Sequence, residues 1–395
     1  MFTQYGELKR LMQRHPREAA LEVCGAIREG VYKPEEFSIA ELFEATVPDG
    51  SEAIKLFNPR QPGGYVPLRE DAGNINTAQF ANITGQIVYT KIMEASVMED
   101  NVFSKIIPMI PTRLSGEKIA GISQLGDQAG VVGEGQSFPR AGVSEDYIET
   151  PVTTKRGFIV GVTKEAIFFD RTNLVLSRAA EVGAFLAINK EKRLIDCVID
   201  ENTTKHRYKW RGNVIATYGD NSGTHSWDNL EASNALADWT DINAAEQLLA
   251  NMLDPNTGEP IVVNGTTLIV TPQLAATAAY IRNQTFGVHF NGYSTSGTLM
   301  SLQAPSPIGS HQYSASFPNV ITSRQLAARL GTDTTWFYGD PSKAFAYMEN
   351  WPITVTQSLP GGPDEFERDV VNQFKASEMG AASTMQPRAM VKCTA

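Results

Sequence analysis

The chain has 395 residues, 42% of them hydrophobic, with 32 glycines; this is ordinary globular composition and excludes disorder as the main state. Acidic residues outnumber basic ones by 44 to 34, a net charge of −10 that excludes a surface built throughout to hold nucleic acid. Three widely separated cysteines, Cys24, Cys197 and Cys393, form no CxxC pair and exclude both a disulfide framework and a zinc knuckle.

No run approaches the roughly 20 apolar residues that cross a bilayer, and the first residues lack the apolar core of a secretory signal, so a soluble chain in a reducing cytoplasm is expected. At about 150 residues per domain, two or three structural units are expected. Residues 1–45 place Leu8, Leu11, Met12, Ala19, Ala20, Val23 and Ile27 at helical spacing, which predicts amphipathic helices, with Pro34 opening another short one. From 47 to 76, Pro48, Asn58-Pro59-Arg60 and Pro62-Gly63-Gly64 interrupt both helix and sheet. This predicts an extended arm that crosses another surface, such as a second copy of the chain.

A helix is expected over 77–103, stopped by Pro108 and Pro111. Between 115 and 165 glycines recur, flanked by β-like runs at 118–123 and 150–163, which predicts a long two-stranded excursion. Its tip, from Gly126 through Gly133-Glu134-Gly135 and Phe138 to Arg140, has too few large apolar residues to pack on itself and requires a partner surface. The strongest helical pattern runs over 174–200, with Val175, Ala179, Val182 and Leu186 on one stripe that Leu194, Ile195, Val198 and Ile199 resume. Beyond it, Lys205-His206-Arg207-Tyr208-Lys209-Trp210-Arg211 interleaves basic and aromatic residues. A solvated face, or a seat for a neighbouring subunit's carboxylates, fits this run better than a nucleic-acid site.

From 212 to 345 the elements alternate. Asp241 is expected to cap a helix ending at Asp254-Pro255; residues 261–263 and 267–270 flank Asn264-Gly265, a hairpin dipeptide; Thr271-Pro272 starts a helix. The result reads as an α/β lobe, with exposed loops over 284–318. Strand-like runs at 336–339, 345–348, 353–356, 366–376 and 388–393 then complete an antiparallel end.

Motifs with mechanical meaning are missing: no GxxxxGK(S/T) phosphate loop, no HExxH pair, no GxSxG elbow. Gly133-Glu134-Gly135 lacks the third glycine of a dinucleotide loop. His15, His206, His225, His289 and His311 have no Cys or His partner at ligand spacing. The Asp254 to Glu259 run reads as a helix-ending turn instead of a calcium loop, and Asp364-Glu365-Phe366-Glu367 as hydrated carboxylates. No catalytic residue, metal ligand or cofactor is expected.

The order of features, together with the run Thr150-Pro-Val-Thr-Thr-Lys-Arg-Gly-Phe-Ile-Val-Gly-Val-Thr-Lys-Glu, the stretch Trp336-Phe-Tyr-Gly-Asp-Pro-Ser-Lys-Ala-Phe and the closing strands 364–391, resembles the major capsid proteins of tailed bacteriophages, whose fold encapsulins share. The resemblance implies an α+β phage capsid fold with an N-terminal helical segment (1–45), an N-terminal arm and first helix (46–112) and an extended β-hairpin loop (113–162). It further implies a peripheral domain (163–214 and 346–395) with a spine helix over 172–200, and an α/β axial domain (215–345). Many relatives carry a long scaffold-like segment that a protease removes; about 45 residues precede the arm here. Some relatives cross-link a loop lysine to an asparagine; Lys118 and Lys155 are present, but no spacing identifies that reaction.

The implied function is a structural subunit that assembles as hexamers and pentamers into an icosahedral shell around double-stranded DNA. It would sit in the virion after assembly in the host cytoplasm, with scaffold, portal and decoration proteins as further partners, no sequence-specific DNA binding and no membrane. Contacts between subunits are expected at Gly133, Glu134, Gly135, Phe138, Arg140 and Glu145 of the loop, Lys155 and Arg156 on its return, and Arg207 and Arg211 of the basic run. The alternatives are an encapsulin-type compartment and, from a different class, a cytoplasmic α/β enzyme acting through 215–345.

Overall fold

The computed structural model describes residues 16–36, 38–46, 70–97, 101–120, 131–134, 137, 147–163, 166, 169, 171–200, 208–221, 227–254, 258–283, 318–357 and 370–395. In chain order, helices α1 (Pro16–Arg28), α2 (Ile39–Thr46), α3 (Glu70–Ser96) and the short α4 (Phe103–Ile106) precede strands β1 (Met109–Pro111), β2 (Lys118–Ala120), β3 (Tyr147–Glu149) and β4 (Thr154–Thr163). The long helix α5 (Thr172–Ile199) leads to β5 (Tyr208–Trp210), β6 (Asn213–Ile215), β7 (Leu230–Glu231), α6 (Trp239–Ala250), β8 (Thr267–Val270) and α7 (Ala275–Asn283). The chain closes with β9 (Asn319–Thr322), α8 (Arg324–Leu330), β10 (Trp336–Gly339), α9 (Pro341–Ala344), β11 (Phe345–Gln357), β12 (Val370–Thr384) and β13 (Met390–Cys393). This is the α+β class expected from the sequence.

The chain divides into two units, the first comprising Met1–Met98, Lys155–Asn189 and Trp351–Met379, the second Glu99–Thr154, Lys190–Asn350 and Gly380–Ala395. In the first unit, apolar residues at helical spacing on α1 (Ala19, Ala20, Val23, Ile27) and α2 (Ile39, Leu42, Phe43) share one core with Ile83, Ile87, Val88 and Ile92 of α3 and Val175, Leu176 and Ala179 of α5. Helices α3 and α5 approach backbone to backbone at Gly183, where a Cβ would overlap the Ile92 carbonyl oxygen. Strand β12 lies between β11 and β4, and Val162, Phe374 and Ala376 carry the sheet's inner face into the same core.

The second unit is organised on a mixed sheet of order β7-β13-β10-β8-β9. Strand β10 pairs antiparallel with β13 and β8, while β7 and β9 join parallel at the two edges. Side chains alternate to opposite faces along each strand. Leu268, Val270, Trp336, Tyr338, Val391 and Cys393 pack with α6 and α7, whereas Ile269, Phe337 and Met390 pack with Leu326 and with Leu194, Ile195 and Val198 of α5. Both faces are covered, which is why the central strands β8 and β10 are buried at every position instead of alternating.

Several sequence expectations change. The return strand 150–163 does not pair with the outgoing one: β2 pairs with β3, and β4 belongs to the sheet of β11 and β12, because its buried Val160 and Val162 face the helical core. Asn264-Gly265 makes no hairpin, since 261–263 form no strand; glycine is needed there because a Cβ would overlap the Tyr338 ring. Asp238, not Asp241, is the N-cap of α6, accepting from Thr240 N–H at 2.7 Å, while Asp241 supplies the reciprocal acceptor of a capping box. Helix α7 begins at Ala275, after a turn that holds Pro272. Strands expected separately at 345–348 and 353–356 are one strand of 13 residues. Finally, β13 sits inside the second unit's sheet, between β7 and β10, instead of closing the peripheral segment 346–395.

Candidate inter-subunit surface

The sequence of β4, TKRGFIVGVT, buries Val160 and Val162 but leaves Phe158 and Ile159 50% and 64% exposed. This strand is the edge of its sheet, so its outer backbone groups face no partner strand among the described residues. Helix α5 buries Val175, Ala179 and Leu186, and its opposite stripe, Leu174, Arg178, Glu181 and Phe185, points outward; Phe185 is 59% exposed. Strand and helix stripe enclose a groove of about 470 Å³ lined by Phe158, Ile159, Val160, Gly161, Leu174, Ser177, Arg178, Glu181, Val182 and Phe185. Val182, expected on the core stripe, packs half-buried against that core and also lines the groove. A concavity that combines Phe158, Ile159, Leu174 and Phe185 with Ser177, Arg178, Glu181 and an open strand edge suits a segment of another chain that offers both apolar side chains and hydrogen-bonding groups.

The expected contact residues distribute unevenly. Gly133 and Glu134 are exposed, beside a fully exposed Val131. Gly135, Phe138, Arg140, Glu145 and Arg207 lie outside the described residues. Lys155 is exposed on β4, its Nζ 5.8 Å from the Trp351 ring centroid, and Arg156 is half-buried next to it. Arg211 is elsewhere, in a two-residue turn with Gly212 joining β5 to β6; both have positive φ, 49° and 81°, the twist that suits a tight hairpin. Its guanidinium lies 4.6 Å from the Trp210 ring centroid. Within the described part of the basic run, Tyr208–Trp210 is strand, with Tyr208 buried against Trp227. Reading its aromatic alternation together with the turn at Gly212 would have found this. The sequence reading missed the groove itself, because Phe158, Ile159, Leu174 and Phe185 signal burial in any composition count.

Among the described residues no group of three or more His, Cys, Asp or Glu side chains could hold a metal ion. Burial pushes the Cys197 thiol up to about 12 and also raises those of Cys393 and Cys24, the reverse of an activated nucleophile. Glu191 is fully buried, and burial raises its carboxyl even though it accepts N–H groups of Phe103 at 2.7 Å and Ser104 at 3.0 Å. It thereby satisfies donors that the short helix α4 leaves open. The five histidines and the 364–367 cluster lie outside the described residues. No helix among the described residues is long and apolar enough to cross a membrane.

Among solved structures, the fold is similar to that of Gordonia phage Cozz, at 14% identity over 74% of this chain and 86% of that one, with a TM-score of 0.44. It is also similar to the capsid of the cyanophage P-SCSP1u, at 12% identity over 73% and 85%, with a TM-score of 0.42. A virus-like particle from Pyrococcus furiosus is similar at 14% identity over 77% and 98%, with a TM-score of 0.39. No curated protein sequence matches the chain. The family model described as phage capsid protein matches residues 147–393. That match covers more than half of the 395 residues and runs from β3 to β13, so the chain belongs to the phage capsid protein family and is a structural protein of the capsid.

Proposed function

We propose that this chain is the repeated subunit of a closed icosahedral shell around the double-stranded DNA of a tailed phage. In this reading the extended loop of one copy seats on the β4–α5 groove of the next. The observation that carries the reading is that groove: an edge strand exposing Phe158 and Ile159 beside an outward helix stripe of Leu174, Arg178, Glu181 and Phe185, in a chain whose family builds shells. The loop supplies a matching element, since β2 and β3 anchor it and its tip exposes Val131. A one-way contact of this kind, groove to loop, generates rings when its rotation closes, whereas a self-complementary patch generates dimers.

The part of 113–162 that precedes β4 then serves as the extended loop, α5 as the spine of a peripheral domain, and 215–345 together with β13 as the axial lobe. The chain carries no catalytic activity of its own, binds packaged DNA without sequence preference, and assembles in the host cytoplasm with scaffold and portal partners. The family match favours a phage shell over a cargo compartment.

Electron microscopy with light scattering, on the protein expressed alone and with its neighbouring genes, tests the reading. Closed shells are expected, and a strict monomer in every condition overturns it. Phe158→Asp combined with Phe185→Asp, both at exposed positions, is expected to leave a folded subunit that does not assemble. Normal shells from that double variant would move the contact elsewhere.

A further inference from the structure

The first unit contains a feature that assembly alone does not explain: its core is completed by helices α1 and α2, at the front of the described chain. Neither is long enough to persist alone, at 13 and 8 residues against the roughly 12–15 at which isolated helices are only marginal in water. They are helical because they pack. Ile27 and Leu42 are among the largest fully buried side chains in the protein, and with Val23, Ile39 and Phe43 they enter the same core as α3 and α5.

The polar contacts agree. The Ile39 N–H donates to Thr172 Oγ1 at 2.9 Å, tying α2 to the first residue of α5. Lys91 of α3 reaches Glu35, between α1 and α2, at 2.6 Å; Glu35 is largely exposed, so this pair orients more than it stabilises. Taking the segment away would uncover a contiguous apolar face on α3, a larger hydrophobic exposure than a soluble subunit tolerates.

We infer that residues 16–46 are a permanent part of the folded subunit, held by the core whether or not the chain beyond them is cut, and that they remain in the finished shell. The second half of this inference rests on the capsid reading; the first does not. It assigns the segment the role of an integral wall of the first unit instead of a removable assembly aid.

Two measurements test it. A site-specific protease sequence inserted after Gly50 of the full-length chain allows the purified, folded protein to be nicked. The fragment carrying α1 and α2 is expected to co-elute with the remainder in stoichiometric amount on size exclusion in native buffer, and to separate only in denaturant. A fragment that elutes by itself in native buffer overturns the inference. Intact-mass and denaturing-gel measurement on purified particles is expected to find residues 16–46, joined or as a separate piece. Stable particles without them overturn the claim about the shell. A failure to form any particle counts against the capsid reading, and the nicking result then decides the first half by itself.

Discussion

Asn229 shows how one side chain can tie together loop segments and a strand. It is fully buried, its Nδ2 lies 2.9–3.0 Å from the carbonyl oxygens of Thr217, Pro387 and Met390, and its Oδ1 accepts the Gly219 N–H at 2.9 Å. Asn229→Asp, nearly isosteric, would set a second acceptor against three carbonyls. It is expected to cost about 3 kcal/mol or more, since one buried unsatisfied polar group costs roughly 1–3 and a charged one more; urea unfolding monitored by tryptophan fluorescence reads this out. Glu191 supplies a pH test. Its carboxyl is raised in the folded protein by burial, so the folded state binds more protons than the unfolded one between the ordinary glutamate pKa and the raised value. Stability must therefore fall as pH rises through that window. Glu191→Gln is expected to remove this part of the slope, measured as the difference in unfolding free energy between the two proteins from pH 4 to 7; identical slopes would mean that burial does not control the group.

At the scale of elements, α5 carries the most information, because it has two working faces. Gly183 is where α3 crosses it, and Gly183→Val is expected to destabilise the first unit by about 1–3 kcal/mol through overpacking, seen as a lowered thermal midpoint. A variant with wild-type stability would mean that the two helices slide apart without penalty. The helix was legible in the sequence: Val175, Ala179 and Leu186 repeat at helical spacing, and all three are buried. Its outward stripe was not legible, because an exposed leucine or phenylalanine and a buried one are the same letter. The strands divide likewise. WFYG and TLIV read as strands, as the composition of a sheet covered on both faces dictates, yet their partners did not. Asn264-Gly265 carries a local turn signal that the Tyr338 ring overrides. For β4 the alternative partner, β12, is more than 200 residues downstream, beyond anything that local periodicity reports.

At the scale of the whole molecule, a subunit with a net charge of −10 must assemble against its own repulsion. If apolar contacts such as the β4–α5 groove carry assembly, added salt should help by screening that repulsion, whose range shrinks from about 30 Å at 0.01 M ionic strength to 8 Å at 0.15 M. The threshold concentration for shell formation, followed by light scattering, is expected to fall as salt rises over that range. A threshold that rises would assign assembly to ion pairs.

The edge strand β4 bears on how such a protein survives its own synthesis. A long apolar edge in a chain made in many copies invites random strand pairing, and hence insoluble aggregate, before ordered growth can begin. Lys155, Arg156, Gly157 and Gly161 interrupt that edge with charge and with missing side chains. Register errors between copies are thereby weakened, while Phe158 and Ile159 remain available to a partner that fits. Yield of soluble subunit at high expression is a quantity that Lys155 protects, while Gly157 also serves the fold, since a Cβ there would overlap the Ala376 carbonyl oxygen of β12.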